Sequence, residues 1–296
     1  MLTSFSQNVN CFFGTFFLPA SSEEAKGGLV MKKFSLFLSA YLCVCLLLAA
    51  CAAPDTSSSA EEIPSCGPGV PVLLICRVVE NWNGTLVLAK EDGGPGDVYT
   101  LAWEDSSIRS GDLVEISFSG SIQESFPAGL MEVTAVQVLD YGFDDRCALY
   151  LQVLEDLWEK DPALSENVSI IGLDLSQTSL TDAERSALAW YFSCLHNGAD
   201  YVFGDLDALI DWGYITGEPL GTEDAPSDAK FWHWEDGCLF SIVEQPMEGT
   251  YSLTPVTFDA MKWRSSLGAY FFEDCTSVQS ALGEWDDYAI GSEMIA

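Results

Sequence analysis

The chain has 296 residues, of which 48% are hydrophobic, and it carries a formal net charge of −33 at pH 7. Nine tryptophans and seventeen phenylalanines supply enough apolar surface for a folded core, which excludes a wholly disordered acidic chain. The negative field repels polyphosphates, so nucleic acid is excluded as a predicted partner.

The N-terminal region has the features of a bacterial lipoprotein signal. A basic segment at residues 31–33 precedes an apolar run at residues 34–50, as in a secretory signal peptide. The end of this run has the composition of a lipobox, formed by Leu48, Ala49, Ala50 and Cys51. We predict that the Cys51 thiol receives diacylglycerol and that cleavage occurs before Cys51, which anchors the chain to the membrane without a spanning helix.

Two alternatives remain open for this region. Seventeen apolar residues approach the lower limit for a bilayer-spanning helix, so an uncleaved anchor is the alternative to cleavage. Residues 1–30 precede the basic segment at which such signals normally begin, and we predict that translation starts at Met31. The alternative is that residues 1–30 belong to a long n-region of the signal peptide. Both anchors place the remainder on the outer face of the bacterial cytoplasmic membrane.

Residues 51–68 have the small polar composition of a flexible tether. Six cysteines follow Cys51, namely Cys66, Cys76, Cys147, Cys194, Cys238 and Cys275. Export permits disulfides between them, but buried free thiols are an equal alternative. Cys147 and Cys194 lie on apolar helix stripes, which favours a core position for those two.

Residues 69–141 are predicted to form a small all-β domain. The turn sequence at residues 81–84 contains Asn-Gly and predicts a hairpin between strands 70–80 and 85–90. Further strands are predicted at residues 98–103, 113–119 and 130–139. Five short strands in about 70 residues favour an OB-like barrel.

Residues 111–116, Gly120 and residues 124–128 (Glu-Ser-Phe-Pro-Ala) resemble the last two strands of a small OB-like domain in exported Firmicutes proteins. The resemblance covers about a quarter of the chain. It implies a barrel and an extracytoplasmic setting, and it supplies no catalytic residues. The overall pattern of the C-terminal part, including residues 262–265 and 267–270, is similar to that of clostridial lipoproteins, and this resemblance likewise implies no activity.

Residues 144–296 are predicted to form a mixed α+β domain, so the predicted fold class is α+β. Helices are expected at residues 147–158, 181–197 and 205–212, the second beginning at a capping box of Thr181 and Glu184. Strands at 168–175 and 199–203 flank the second helix and are expected to be parallel. An antiparallel C-terminal end is predicted from a hairpin of residues 231–234 with 239–243, and from strands at 263–274 and 284–290.

No hydrolase or nucleotide-binding motif and no zinc spacing is present, and we predict no metal and no cofactor. The predicted function is a binding or interaction module, with a cation, a basic peptide or a cell-wall component as ligand. The candidate ligand surface combines aromatic and basic residues: Trp232, His233, Trp234, Lys262 and Arg264. The alternative is a cell-envelope hydrolase that acts on glycan or peptide through carboxylates.

Overall fold

A computed structural model describes residues 71–220, 229–245 and 255–296 of the chain. The predictions for residues 1–30, for the signal peptide with its lipobox, for Cys51 and for the tether lie outside the described residues, as does Cys66. Within the described ranges, no helix is both long enough and apolar enough to cross a bilayer.

The predicted α+β class is wrong, because the protein is mostly β. Strands contain 47% of the described residues and helices 18%, and the strands form two mixed sheets with three α-helices. The prediction gave the helices of the second half too much weight. That half contributes nine strands, several of them long, to one large sheet.

The first sheet has seven strands in the order β5-β6-β3-β2-β1-β4-β7. The strands are β1 (Val72–Trp82), β2 (Thr85–Lys90), β3 (Val98–Ala102), β4 (Leu113–Phe118), β5 (Ile122–Gln123), β6 (Ala128–Leu130) and β7 (Val133–Val138). The hairpin of β1 and β2 is confirmed, with Trp82 opposite Thr85. Its turn residues Asn83 and Gly84 both have positive φ, as a type I′ turn requires.

The predicted fifth strand of the first sheet is divided at Met131 and Glu132. Before the division, β6 pairs in parallel with β3, and after it β7 pairs antiparallel with β4. The strands form one mixed sheet in which no OB-fold is identified.

The helices are α1 (Arg146–Glu159), α2 (Asp182–Leu195) and α3 (Leu206–Asp211), and a 3-10 helix covers Pro162–Ser165. The second sheet contains β8 (Ile170–Gln177), β9 (Asp200–Phe203), β10 (Thr216–Pro219), β11 (Lys230–His233), β12 (Gly237–Glu244), β13 (Val256–Ser265), β14 (Gly268–Gln279), β15 (Trp285–Ala289) and β16 (Ser292–Ile295). The predicted capping box is confirmed: Thr181 Oγ1 accepts a hydrogen bond from the Glu184 amide, and Glu184 Oε2 accepts one from the Thr181 amide.

The second sheet has the order β10-β11-β13-β12-β8-β9, and β14 pairs with β13, β15 and β16. The parallel pairing of β8 and β9 is confirmed. The predicted hairpin of β11 and β12 is wrong, because β13 lies between these strands and pairs with both. The predicted strand 263–274 is also wrong, since a turn after Ser265 divides it into β13 and β14, which pair with each other.

Both sheets contribute to one hydrophobic core around α1 and α2. Val87 and Ala89 from β2 belong to the same buried cluster as Phe192 of α2 and Phe240 of β12. The predicted core position of Cys147 is confirmed, whereas Cys194 is only half-buried. The described residues fall in one compact unit.

Candidate functional site

The five residues of the predicted ligand surface lie in or beside β11 and β13, but they do not form an exposed platform. Lys262 is fully buried, and Trp234 is buried in a cluster with Leu209 and Leu239. Trp232, His233 and Arg264 are half-buried. Burial removes Lys262 and Trp234 from any surface that a ligand could contact.

Lys262 binds the C-terminal end of α1. Its Nζ donates to the carbonyl oxygens of Trp158 at 3.1 Å, Lys160 and Asp161 at 3.3 Å, and to Ser165 Oγ at 3.0 Å. The last carbonyls of a helix lack intrahelical donors and carry partial negative charge, so an ammonium group is favoured there. Burial lowers the pKa of Lys262. The side chain therefore joins α1 to the middle of the second sheet.

Arg264 is also bound to backbone carbonyls. Its Nη1 donates to the carbonyl oxygens of Leu164 at 3.2 Å and Glu166 at 2.6 Å. Its Nη2 donates to Glu235 O at 2.6 Å, and its Nε donates to Trp234 O at 3.3 Å. The guanidinium group thus connects the 3-10 helix to the segment between β11 and β12, which leaves little of it for a ligand.

Trp232 and His233 contact the neighbouring strand β10. The Trp232 ring covers Gly217, where a Cβ atom would be 2.6 Å from Trp232 Cζ3. Lys230 Nζ lies 5.0 Å from the centre of the same ring, a cation–π contact that the sequence analysis missed. His233 Nε2 is 3.4 Å from Thr216 Oγ1, while its Nδ1 is buried without a partner. These contacts leave only part of the aromatic pair accessible.

An open depression of about 800 Å³ lies elsewhere, beside the turn between β1 and β2. It is lined by Glu80, Asn81, Asn83, Gly84, Glu104, Asp105, Ser106, Ile108, Arg109 and Ser110. Hydrogen bonds from the hydroxyl and amide of Ser107 lower the pKa of Asp105, so this carboxyl group is held ionised. The depression was not predictable from the sequence because its residues come from two separate turns, neither of which carries a binding motif.

Arg109 is the basic side chain that lines this depression, and it is already paired. Its Nη1 lies 2.7 Å from Glu284 Oε1, and its guanidinium carbon lies 4.3 Å from the centre of the Phe143 ring. The lining is therefore acidic and amide-rich.

The adjacent carboxylates Asp144 and Asp145 have a structural role. Asp144 Oδ1 accepts a hydrogen bond from Trp285 Nε1 at 2.7 Å, and Asp145 Oδ1 accepts one from the Trp285 amide at 2.7 Å. Burial raises the pKa of Asp145. Both carboxylates are thus used to attach β15 to the start of α1.

Glu244 joins three elements through one carboxylate oxygen. Its Oε1 accepts hydrogen bonds from Tyr150 OH, from the Ser179 amide at 2.8 Å and from Ser179 Oγ at 2.7 Å. Neither histidine is a base for this serine: His196 bonds Glu155 at 2.8 Å and stacks on Trp158, and His233 lies on β11. The network connects α1, β12 and the loop before α2.

The thiols and acidic groups of the described residues do not assemble a metal centre. No group of three or more His, Cys, Asp or Glu residues in the described ranges could hold a metal ion. Cys76, Cys147, Cys238 and Cys275 are buried free thiols. Burial raises the pKa of Cys76 and of Cys238 to about 12, so both stay protonated at neutral pH and are poor ligands or nucleophiles.

Every Lys and Arg side chain in the described ranges has an internal partner. Six lie within 4.0 Å of a carboxylate, namely Arg77, Lys90, Arg109, Arg146, Lys160 and Arg185. Lys262 and Arg264 bind backbone carbonyls, and Lys230 lies over Trp232. These ranges contain 36 Asp and Glu residues against nine Lys and Arg residues. The surplus acidic charge is therefore left for the surface.

These observations define a mostly β protein of two mixed sheets with an acidic surface. Comparison of the chain with protein-family models, with curated proteins and with solved structures gives no match.

Proposed function

We propose that the chain is a lipid-anchored, extracytoplasmic interaction module whose acidic surface binds a basic peptide segment. The observation that carries the proposal is the internal engagement of all nine basic side chains in the described ranges. A surface with surplus carboxylates and few accessible cations attracts positively charged partners over long range and repels anionic ones.

The depression beside the β1–β2 turn is the concave part of this surface that best fits a basic side chain. Glu80, Glu104 and Asp105 contribute carboxylates to its lining, and Asn81 and Asn83 contribute amides. A lysine or arginine of the partner would find acceptors there without displacing an internal cation. Arg109 stays bound to Glu284 at the rim.

The alternative function, a hydrolase acting through carboxylates, has less support. Such an enzyme needs one carboxyl group with a raised pKa to act as the general acid, close to a second, ionised one. In the depression the pKa of Asp105 is lowered. Asp145 has a raised pKa, but its carboxylate is bound to the Trp285 amide. Neither Asp105 nor Asp145 meets the requirement, and Asp156, whose pKa burial raises and which lies beside Glu159, is the remaining candidate for a general acid among the described residues.

The lipid anchor is part of the proposal and rests on the lipobox at residues 48–51. The test is the intact mass of the protein extracted from membranes, beside a Cys51→Ala variant. We expect a chain that begins at Cys51 and carries diacylglycerol, and we expect both features to be lost in the variant. An unmodified chain that retains residues 31–50 would contradict the lipid anchor.

Binding is tested with the full chain in phosphatidylcholine vesicles and a fluorescent oligolysine peptide. We expect saturable binding near physiological salt that weakens as salt is raised, because the attraction is screened. The matched control is an oligoglutamate peptide of equal length, which should not bind. Absence of oligolysine binding, or binding that does not saturate, would refute the interaction with a basic segment.

A further inference from the structure

We propose that one end of the first sheet docks on the surface of the membrane that holds the anchor. This apolar end is formed by Val72, Leu73, Ile122 and Met131. The inference rests on the proposed lipid anchor and adds to it an orientation of the folded part.

The apolar end consists of large apolar side chains that are exposed to solvent. The exposed fractions are 44% for Val72, 59% for Leu73, 45% for Ile122 and 48% for Met131. Single exposed apolar side chains are common on protein surfaces, but several grouped together mark a site of interaction with a protein or a membrane.

Two strand pairs, and the short turn that leads from β4 to β5, bring the four residues together. Val72 and Leu73 begin β1, where they lie opposite Phe118 and Ser117 at the end of β4. The chain then turns at Gly120, where an added Cβ atom would lie 3.1 Å from Val72 Cγ2.

The two remaining side chains follow directly after this turn. Ile122 lies opposite Leu130, and the Met131 amide donates to Ser121 O at 3.2 Å. The four side chains therefore belong to one end of the sheet.

The apolar end carries no charge in a protein that is otherwise strongly acidic. Residues 71–76, 117–123 and 125–131 contain no Asp, Glu, Lys or Arg. Glu124 and Glu132 flank these segments and are exposed. A bilayer surface accepts neutral apolar side chains, whereas most of this protein's surface would have to bring carboxylates to the headgroups.

The position of the apolar end in the chain indicates the membrane as its partner. The described chain enters β1 at Val72, and only about twenty residues separate Val72 from Cys51, a distance of at most roughly 70 Å even if fully extended. Anchoring makes docking an intramolecular event with an effective concentration on the order of millimolar. A small apolar area is therefore enough to hold this end on the bilayer.

Methionine oxidation tests this orientation with a control inside the same molecule. Met131 and Met294 are both 48% exposed, but Met294 lies on β16 and outside the apolar end. The full chain is reconstituted in phosphatidylcholine vesicles, floated to show attachment, and treated with hydrogen peroxide. Peptide mass spectrometry then gives both oxidation rates, each divided by its value in the urea-unfolded chain.

We expect Met131 to be oxidised about tenfold more slowly than Met294, which corresponds to docking by about 1.4 kcal/mol. The double substitution Leu73→Gln with Ile122→Gln should return the Met131 rate to that of Met294. Leu282→Gln, which changes a side chain that is 73% exposed, is the matched control and should leave the tenfold difference in place.

The outcomes separate this inference from the proposed function. Chains that do not float lack the anchor and overturn both. Chains that float with equal oxidation rates for Met131 and Met294 overturn the docking alone. Protection that disappears when the chain is diluted in excess lipid identifies a second copy as the occupant and also overturns it.

Discussion

The two sheets differ in how far apart their neighbouring strands lie in the sequence. In the first sheet β1, β2 and β3 are consecutive and pair in that order. In the second sheet β13 lies between β11 and β12, and β8 lies between β12 and β9. Local turn chemistry is enough to specify the pairing of β1, β2 and β3, whereas the order of the second sheet depends on contacts between distant residues.

The two sheets also differ in the surroundings of a lysine side chain. Lys90 ends β2 in the first sheet, where its partly exposed Nζ lies 4.0 Å from Asp97 Oδ1. Lys262 lies in the middle of the second sheet and is surrounded by oxygen atoms of a helix end. One residue type therefore supports a surface turn in one region and joins two layers in the other.

The largest expected effect comes from removing the buried ammonium group. Lys262→Met keeps the aliphatic length but leaves the carbonyls of Trp158, Lys160 and Asp161 without their shared donor. Because unsatisfied buried polar groups are costly, we expect the free energy of unfolding in urea to fall by about 4 kcal/mol.

The matched change in the first sheet is Lys90→Met. An exposed ion pair contributes little, so we expect a loss of no more than about 0.5 kcal/mol. Equal losses for the two variants would show that Lys262 does not join the layers as described.

Alanine substitutions at two glycines, Gly237 and Gly96, compare the packing of the two regions. In the second sheet a Cβ atom on Gly237 would lie 1.9 Å from Trp234 Cε2, whereas on Gly96, in the turn after β2, it would meet no atom within 4 Å. We expect Gly237→Ala to cost about 2 kcal/mol by overpacking and to red-shift tryptophan fluorescence.

Gly96→Ala is the control for this substitution and should stay within about 0.5 kcal/mol of the parent protein. A Gly237→Ala variant with the parent's stability and spectrum would mean that Trp234 does not pack against Gly237.

The contact between Trp234 and Gly237 also explains what the sequence could not predict. The turn sequence at residues 235–237 is compatible with a hairpin, but Trp234 is buried and β13 takes the place between the two strands. By contrast, the capping box at Thr181 involves groups three residues apart, and the β1–β2 turn depends on Asn83 and Gly84. These two patterns, formed by residues at most three positions apart, were predicted correctly.

The candidate site shows the same difference between local patterns and contacts of distant residues. Lys262 and Arg264 are basic residues in an aromatic strand, a combination that indicates a ligand surface when only the sequence is known. Their acceptors at residues 158–166 and 234–235 lie far away in the chain, so their structural role was not predictable. The acidic depression depends on two turns that meet only in the folded protein.

The smallest expected effect concerns the attachment of β15 to α1, and it depends on pH. Burial raises the pKa of Asp145, with the nearby Asp144 and Glu284 acting in the same direction. The folded state therefore binds a proton more tightly than the unfolded state, so stability falls as pH rises from the unfolded pKa, about 3.9, through the folded pKa.

Asp145→Asn keeps an oxygen acceptor for the Trp285 amide and removes the charge. We expect the variant to unfold at a higher urea concentration than the parent at pH 7, and the difference to disappear below the unfolded pKa, where the parent carboxyl is protonated in both states. Asp286→Asn, at an exposed position on β15, should show no such pH-dependent gain. A gain of the same size at every pH would mean that the Asp145 charge is not its cause.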